Sequence, residues 1–474
     1  MQERARIAID LGAESCRVSL LRWQDARPSI NVVHRIPNAP VNRSGELHWP
    51  IATILAGLEE GTRKAADAAP EGIASIAVDC WSVDYVRLAA DGSILREPFC
   101  YRDERTVATK EKADGIIAPL ELYARTGAHP QRINTVYQLM ADQDAGIDGH
   151  APWVMLPEYV LYWLSGKRVA EYTNASHTGL VSLKTGDWDA EVFEKLRLQV
   201  SAAPPIVHAG TVLGPLRGPL AELDALRNAK IIAPATHDTA SAIAGIATGL
   251  DNGAYISSGT WSLVGALIRV PVTTQRAFDA GYTNIGAAAG ELLFHALVNS
   301  MWVLKQCMNA WIAQGRNWEI EGLVARAADC KWDARAVLDM DAPSLMLDSD
   351  MPGRINREFV RLGFEPIADV AGNEPVFARL IFESLAARYA SAVASLEETL
   401  DRRLERIHMI GGATRNKLLI KLTEQRTGLP VEIGECESAT VGNFAIQLAA
   451  SDAGGAGVTP EAIREQAKRL CGCI

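Results

Sequence analysis

A short apolar strand that turns on a glycine and returns as a second strand opens this chain, and the same unit recurs in its second half. Residues Ala5 to Leu11 (A-R-I-A-I-D-L) and Cys16 to Trp23 (C-R-V-S-L-L-R-W) flank a polar turn containing Gly12. That pattern predicts a β-hairpin. Ala254 to Ile256 and Ser262 to Leu267 flank S-S-G-T-W, with Gly259 and Thr260 in the turn. A lone hairpin is barely stable in water, so each must seed a larger sheet covered by other elements. With 474 residues the chain is long enough for two such bodies. The repeat predicts two α/β domains of related plan facing a cleft. Their boundary is expected near residue 245, where A-I-A-G-I-A-T-G-L-D-N-G passes from helix-like to turn-rich, giving domains over 1–245 and 246–474.

The intervening elements fit that plan. A third strand is expected near Asn31 to Ile36, an amphipathic helix over Ile51 to Ala68 and a buried strand over Ile73 to Val78. Val83 to Leu88, followed by Asp91–Gly92, predicts another hairpin. Apolar residues spaced three and four apart from Phe377 to Leu400 predict a long helix, and Ile407 to Ile410 a strand that meets Gly411–Gly412. Strands alternating with helices argue for α/β architecture. A formal net charge of -10 and the lack of a long Lys/Arg run argue against a nucleic-acid or anionic-membrane partner, since both demand a basic face. The eight cysteines lack C-x-x-C spacing, which fits reduced thiols rather than a zinc site or disulfide framework. The long apolar stretch Ile231 to Leu250 is broken by His237 and Asp238, so no membrane span is expected there. The first strand leaves no room before it for a signal peptide, and a cytoplasmic location is expected.

Several constellations carry chemistry. In I-A-I-D-L-G-A-E-S-C-R, Asp10 ends a strand and the Gly12 turn exposes backbone N–H groups. Such a nest suits a phosphate, with Ser15 and Arg17 as further donors. Asp10 can hold Mg²⁺ through water, although a plain surface hairpin would show the same turn. It is not a Walker A loop, because no G-K-[ST] follows. Gly259 and Thr260 occupy the same place in the second half. Two such turns, one on each wall of a cleft, can grip the phosphates of ATP. In I-I-A-P-A-T-H-D-T-A-S-A, Asp238 opens a small-residue helix. An acid there can be a simple cap or the base that takes a proton from an attacking hydroxyl, with His237 bonding the acceptor. Gly411 and Gly412 allow a nucleotide to approach the backbone closely. V-D-C-W-S-V-D-Y and Y-R-D-E-R-T supply Asp79, Trp81, Ser82, Asp84, Arg102, Asp103 and Arg105, the aromatic and polar groups a sugar pocket needs. Trp81 fits a core position equally well. The remaining histidines, His177 and His295 among them, show no ligand spacing and are read as structural or surface residues.

These blocks resemble the FGGY carbohydrate kinases, in the same order from about Ile7 to Leu448, and most closely the branch of that family acting on L-rhamnulose. L-P-E-Y-V-L-Y-W-L-S-G-K, E-Y-T-N-A-S and S-A-T-V-G-N-F-A-I-Q-L belong to the match. The resemblance implies two ribonuclease-H-like, actin-like ATPase domains closing around ATP and a sugar. By position it implies that Ala13, Glu14, Ser15, Cys16 and Arg17 line the ATP phosphates, with Thr260, Gln306 and Gly412 completing the nucleotide site. Asp238 falls at the family's proton acceptor, and Ser82, His237, Asp238, Thr239 and Asn299 at or near its sugar contacts. The implied reaction uses ATP and Mg²⁺ to phosphorylate the 1-hydroxyl of L-rhamnulose in rhamnose catabolism, by a monomer or homodimer. L-fuculose, L-ribulose and L-xylulose are the alternative acceptors, and an ATP-driven conformational machine is the alternative of another class. Cys16 and Ser82 each stand where the branch has glycine, and T-N-I-G-A at Thr283 to Ala287 stands where it tends to read T-N-E-G-G.

Overall fold

A computed structural model of the chain describes residues 3–25, 27–454 and 457–473. Two six-stranded mixed sheets form its frame. In the first, Ala5–Leu11 pairs antiparallel with Ser15–Gln24 and parallel with Ile73–Cys80. Arg27–Pro37 extends the hairpin on one side, and Lys230–Ala233 follows Ile73–Cys80 on the other. In the second, Gly253–Ser258 pairs antiparallel with Trp261–Ile268 and parallel with Arg406–Ile410. Leu292–Asn299 extends that hairpin, and Val431–Ile433 follows Arg406–Ile410. The five strands therefore repeat one order and one set of directions, as the duplicated sequence unit predicts. Ile7, Ile9, Ile76 and Val78 are fully buried, because helices cover both faces of these central strands and leave no polar side.

The predicted helices Ile51–Ala68 and Glu374–Leu400 are present. The turn at Asp91–Gly92 forms as expected, though its hairpin is short: Leu95 N–H donates to the Arg87 carbonyl at 2.9 Å, Ala89 N–H to the Ser93 carbonyl at 2.8 Å, and Leu88 bridges Ile94. Tyr85–Arg87 also pairs with Trp153–Met155, which the local pattern does not announce. The buried Arg87 guanidinium supports that second pairing: it donates to Asp142 at 2.6 Å and to the Ala151 carbonyl at 2.9 Å.

The helix Ser438–Asp452 returns to the first sheet. Its Gln447 amide donates to the Ile7 carbonyl at 3.0 Å, its Asn443 to Asp79 at 2.6 Å, and Arg6 reaches its Ser451 at 3.0 Å. It crosses Asp238–Ala244 at backbone contact: a Cβ on Gly442 would stand 1.7 Å from the Ser241 carbonyl oxygen. Val441, Phe444 and Ala445 pack in one cluster with Ala240 and Ile243 of that short helix and with Tyr255 and Ile410 of the second sheet. Burial of this apolar surface, at about 25 cal/mol per Å², ties the two halves together beneath the cleft.

Candidate active site

The two glycine turns approach one cleft from opposite sides. Gly12 closes the first: a Cβ there would lie 2.5 Å from the Ser15 carbonyl oxygen. Ala13, Glu14 and Ser15 are exposed or half-buried, while the Cys16 side chain is fully buried beneath them. Burial pushes the Cys16 thiol up to about 12, so this cysteine is inert and only its backbone can face a phosphate. The residue has no positive φ, which explains how the turn accepts it in place of glycine. In the second turn, a buried hydroxyl cluster braces the strands, with Ser262 2.7 Å from both Ser300 and Tyr389. The Thr260 carbonyl accepts from the Trp302 amide at 2.9 Å. That bond sets the start of Met301–Ala313, the helix carrying Lys305 and Gln306. Lys305 then crosses to Glu14 at 2.6 Å, joining the two walls. Gly411 abuts the second turn (a Cβ would stand 2.7 Å from the Ser258 oxygen), and Gly412 has open space before it.

Asp10, next to last in the first strand, stands in register with Asp79. Arg17 donates to Asp10 at 2.8 Å and to Glu437 at 2.7 Å. Burial, offset in part by Arg17, pushes the Asp10 carboxyl up to about 6. Asp79 is fully buried, and its Oδ1 has no hydrogen-bond partner. Burial and the neighbouring Asp10 raise its carboxyl well above the usual range. A carboxylate pair short of positive charge suits a hydrated divalent cation. Among the described residues no cluster of three or more metal-ligating side chains forms. The fit is therefore to an ion held largely through its own water, as Mg²⁺ prefers.

Asp238 begins the helix Asp238–Ala244, with His237 as its N-cap. The turn before it is held from every side. Cys80 N–H donates to the Thr236 carbonyl at 2.9 Å, Thr236 N–H to Glu171 at 3.0 Å, and His237 N–H to Thr173 Oγ1 at 3.2 Å. Thr236 Oγ1 adds a bond of 2.6 Å to Glu158. Asp238 keeps 39% of its side chain open, and desolvation in its recess pushes its carboxyl up to about 6. Thr239 Oγ1 lies 3.2 Å from Asp238 Oδ1. His237 is 5% exposed, with Nε2 3.4 Å from Asp238 Oδ1 and Nδ1 3.2 Å from His177 Nε2.

The structure gathers Ser82, His237, Asp238 and Thr239 at this recess. The isolated bridge between Cys80 and His237 sets Ser82 beside them. Trp81 and Asp84 turn inward: Asp84 accepts from the indoles of Trp81 and Trp49 at 2.9 and 2.6 Å. Arg105 is spent on Asp142 at 2.7 Å. Asn299 ends the strand Leu292–Asn299 at 1% exposure, its amide donating to the Leu345 carbonyl at 3.2 Å. It thus lies on the second sheet beside the Thr260 turn rather than with Ser82. Ile285 is buried in the apolar cluster between the halves, and the next residue, Gly286, donates its N–H to Ser176 Oγ at 2.9 Å, beside His177. Sequence reasoning missed Glu158, Glu171, Glu437 and His177. Each acts through a partner distant in the chain, and only the acid two residues before Thr173 carried a local sign, the cap that Glu171 forms.

Comparison with known proteins decides the family. Models of the FGGY family of carbohydrate kinases match here, the N-terminal domain over residues 5–245 and the C-terminal domain over 254–451. The chain belongs to this family. The kinase is 32% identical over 443 residues to the rhamnulokinase of Bacteroides thetaiotaomicron, covering 93% of this chain and 89% of that one. It is 32% identical to the rhamnulokinase of Bacillus subtilis, covering 94% and 90%. Its fold is shared with a ligand-bound xylulose kinase from Lactobacillus acidophilus (TM-score 0.76, 18% identity, 99% and 96% covered). Glycerol kinase from Plasmodium falciparum with ADP has the same fold (TM-score 0.76, 14% identity, 98% and 92% covered). The kinase is an ATP-dependent phosphotransferase acting on a small sugar, and among the described residues no helix is long and apolar enough to cross a membrane.

Proposed function

We propose that this kinase phosphorylates L-rhamnulose at its 1-hydroxyl, with Asp238 as general base. The observation carrying the choice of sugar is the set of relatives named rhamnulokinase, aligned over more than nine-tenths of this chain. The base assignment rests on a carboxylate opening a helix in a half-open recess, near enough to Asp10 of the first turn's strand for the two carboxyls to repel. In this reading the first turn (Ala13, Glu14, Ser15, the Cys16 backbone, Arg17) and the second (Thr260, with Gln306 and Gly412) hold the nucleotide. Ser82, His237 and Thr239 surround the sugar, while Asn299, buried with its amide on the Leu345 carbonyl, backs the Thr260 turn from the second sheet. Asp10 is the residue that anchors Mg²⁺, which when bound offsets phosphate charge.

Asp238 takes the proton of the attacking hydroxyl as that oxygen bonds to the γ-phosphorus, and the bond from phosphorus to the β-bridging oxygen breaks to release ADP. Arg17 is held in place by two carboxylates, Asp10 and Glu437, at the mouth of the first turn. Closing the cleft excludes water, which would otherwise hydrolyse ATP. The domains in this reading are 1–245 and 246–474, the enzyme works in the cytoplasm, and it is a monomer or homodimer. ADP release across L-rhamnulose, L-fuculose, L-ribulose and L-xylulose, with a no-sugar control, is the test. A clear preference for L-rhamnulose is expected. Preference for another ketose replaces the sugar, and sugar-independent ADP release overturns the proposal in favour of a conformational ATPase.

A further inference from the structure

His177 belongs to a closed ring of hydrogen bonds around the recess. Cys80 N–H donates to the Thr236 carbonyl at 2.9 Å, and the adjoining His237 meets His177 at 3.2 Å. The His177 carbonyl accepts from Asn134 Nδ2 at 2.9 Å, and the next residue, Thr135, donates through Oγ1 to the Val83 carbonyl at 2.7 Å. Val83 leads back through Ser82 to Cys80. The ring is rigid enough to hold Val83 at φ 74, a conformation that β-branched residues adopt only when their surroundings impose it. Its members come from segments far apart in the chain. Their half-buried polar side chains, Ser82, His177 and Asp238, are the groups left open at the recess.

The ring also fixes which atom His177 presents. The Asp238 carboxylate, 3.4 Å from His237 Nε2, favours the proton of His237 on that nitrogen. His237 Nδ1 is then a lone pair, so His177 Nε2 must be the donor in the 3.2 Å contact between the rings. The one remaining nitrogen of a neutral His177, Nδ1, is left as an acceptor. Burial keeps both rings neutral, holding His237 down to about 3 and His177 well below its usual range. The other titratable neighbour, His295 on the second sheet, is itself neutral and bonded to the Tyr255 hydroxyl at 2.7 Å. Among the described residues nothing bonds His177 Nδ1.

We infer that His177 is a specificity-determining residue of this kinase, whose Nδ1 accepts a hydrogen bond from a non-reacting hydroxyl of the acceptor sugar. The inference rests on the proposal that Asp238 marks the acceptor site. One base thus dictates, through two imidazoles, the polarity of a contact on the far side of His237. A hydroxyl in the matching configuration can donate; an epimer that turns it away leaves the acceptor unmatched. A site built around such a contact rejects the analogue that cannot make it, because its own polar atom stays unpaired.

The test uses the full-length enzyme and its His177→Ala and His177→Asn variants, with ATP and each of L-rhamnulose, L-fuculose, L-ribulose and L-xylulose. His177→Ala is expected to raise the KM for the preferred ketose about tenfold, the worth of one neutral hydrogen bond. It should compress the ratio of kcat/KM between preferred and poorest ketose by the same factor, with the KM for ATP unchanged. His177→Asn, whose amide oxygen can still accept, is expected to recover part of the selectivity. Retention of KM and selectivity by His177→Ala would overturn the inference. So would an equal rise in the KM for sugar and ATP together with a lowered melting temperature, which marks a merely structural role. Failure of the parent reading looks different: the wild-type enzyme itself would then release ADP without regard to sugar.

Discussion

Replacing Glu171 by Gln tests the buried scaffold beneath the catalytic turn. Glu171 is 1% exposed and takes bonds from the Thr236 and Thr173 amides, both at 3.0 Å, without an Arg or Lys to pair with. Desolvation, with a further push from Glu158, raises its carboxyl from 4.5 to about 8. In the unfolded chain the group ionises near its ordinary value, so between roughly pH 4.5 and 8 the folded state holds a proton that the unfolded state has lost. The stabilisation is therefore complete below the unfolded value and drains away as pH rises through the folded one. Linkage sets the slope at about 1.4 kcal/mol per pH unit inside that window, which sums to about 2–3 kcal/mol between pH 6 and 9. Glutamine keeps the shape and cannot ionise. Thermal melts of wild type and Glu171→Gln at pH 6, 7, 8 and 9 isolate the effect, because every other titrating group is common to both. The melting-temperature difference is expected to shift in favour of the variant by about 2–4 °C per kcal/mol. Parallel pH profiles for the two proteins would refute the reasoning, since they would mean that Glu171 ionises in the fold as easily as in water.

Other outcomes follow from the same geometry. Asp238→Asn should lower kcat by about 10²–10⁴, the usual contribution of a positioned base, while the sugar KM persists; near-normal turnover would remove Asp238 from the base role. In the wild type, kcat should fall as pH drops through about 6, where the Asp238 carboxyl takes up its proton, and the variant's pH–rate profile should lack that limb. Gly442→Ala should destabilise by about 1–3 kcal/mol or more, since its Cβ would stand 1.7 Å from the Ser241 carbonyl oxygen. A melting temperature equal to wild type would mean that the two helices separate at little cost.

The sequence by itself determined the two sheets, the pairing of each glycine turn with its strands, and the helix that begins at Asp238. Those features are local: period, turn residues and apolar runs act over a few neighbours, and Ala5–Leu11 with Ser15–Gln24 could hardly fold otherwise. Sequence also brought Asp10, Asp238 and the two turns forward as the chemical groups, because short motifs carry them. At Val83 to Leu88 it gave the turn but not the second pairing of Tyr85–Arg87 with Trp153–Met155, which a buried ion pair between Arg87 and Asp142 supports. It had no means of seeing Ser438–Asp452 return to the first sheet, since that placement depends on Gly442 meeting Ser241 across most of the second half of the chain. The histidines show the same limit. His177, His237 and His295 are distant in sequence and show no spacing, and only the packing of the turn at Ser176–Thr178 against the start of the Asp238 helix sets two rings 3.2 Å apart beside the carboxylate. Which residues exist to do chemistry is written locally. Which of them share one recess, and with what proton on which nitrogen, is decided by tertiary contacts whose energy comes from burial far from the motif.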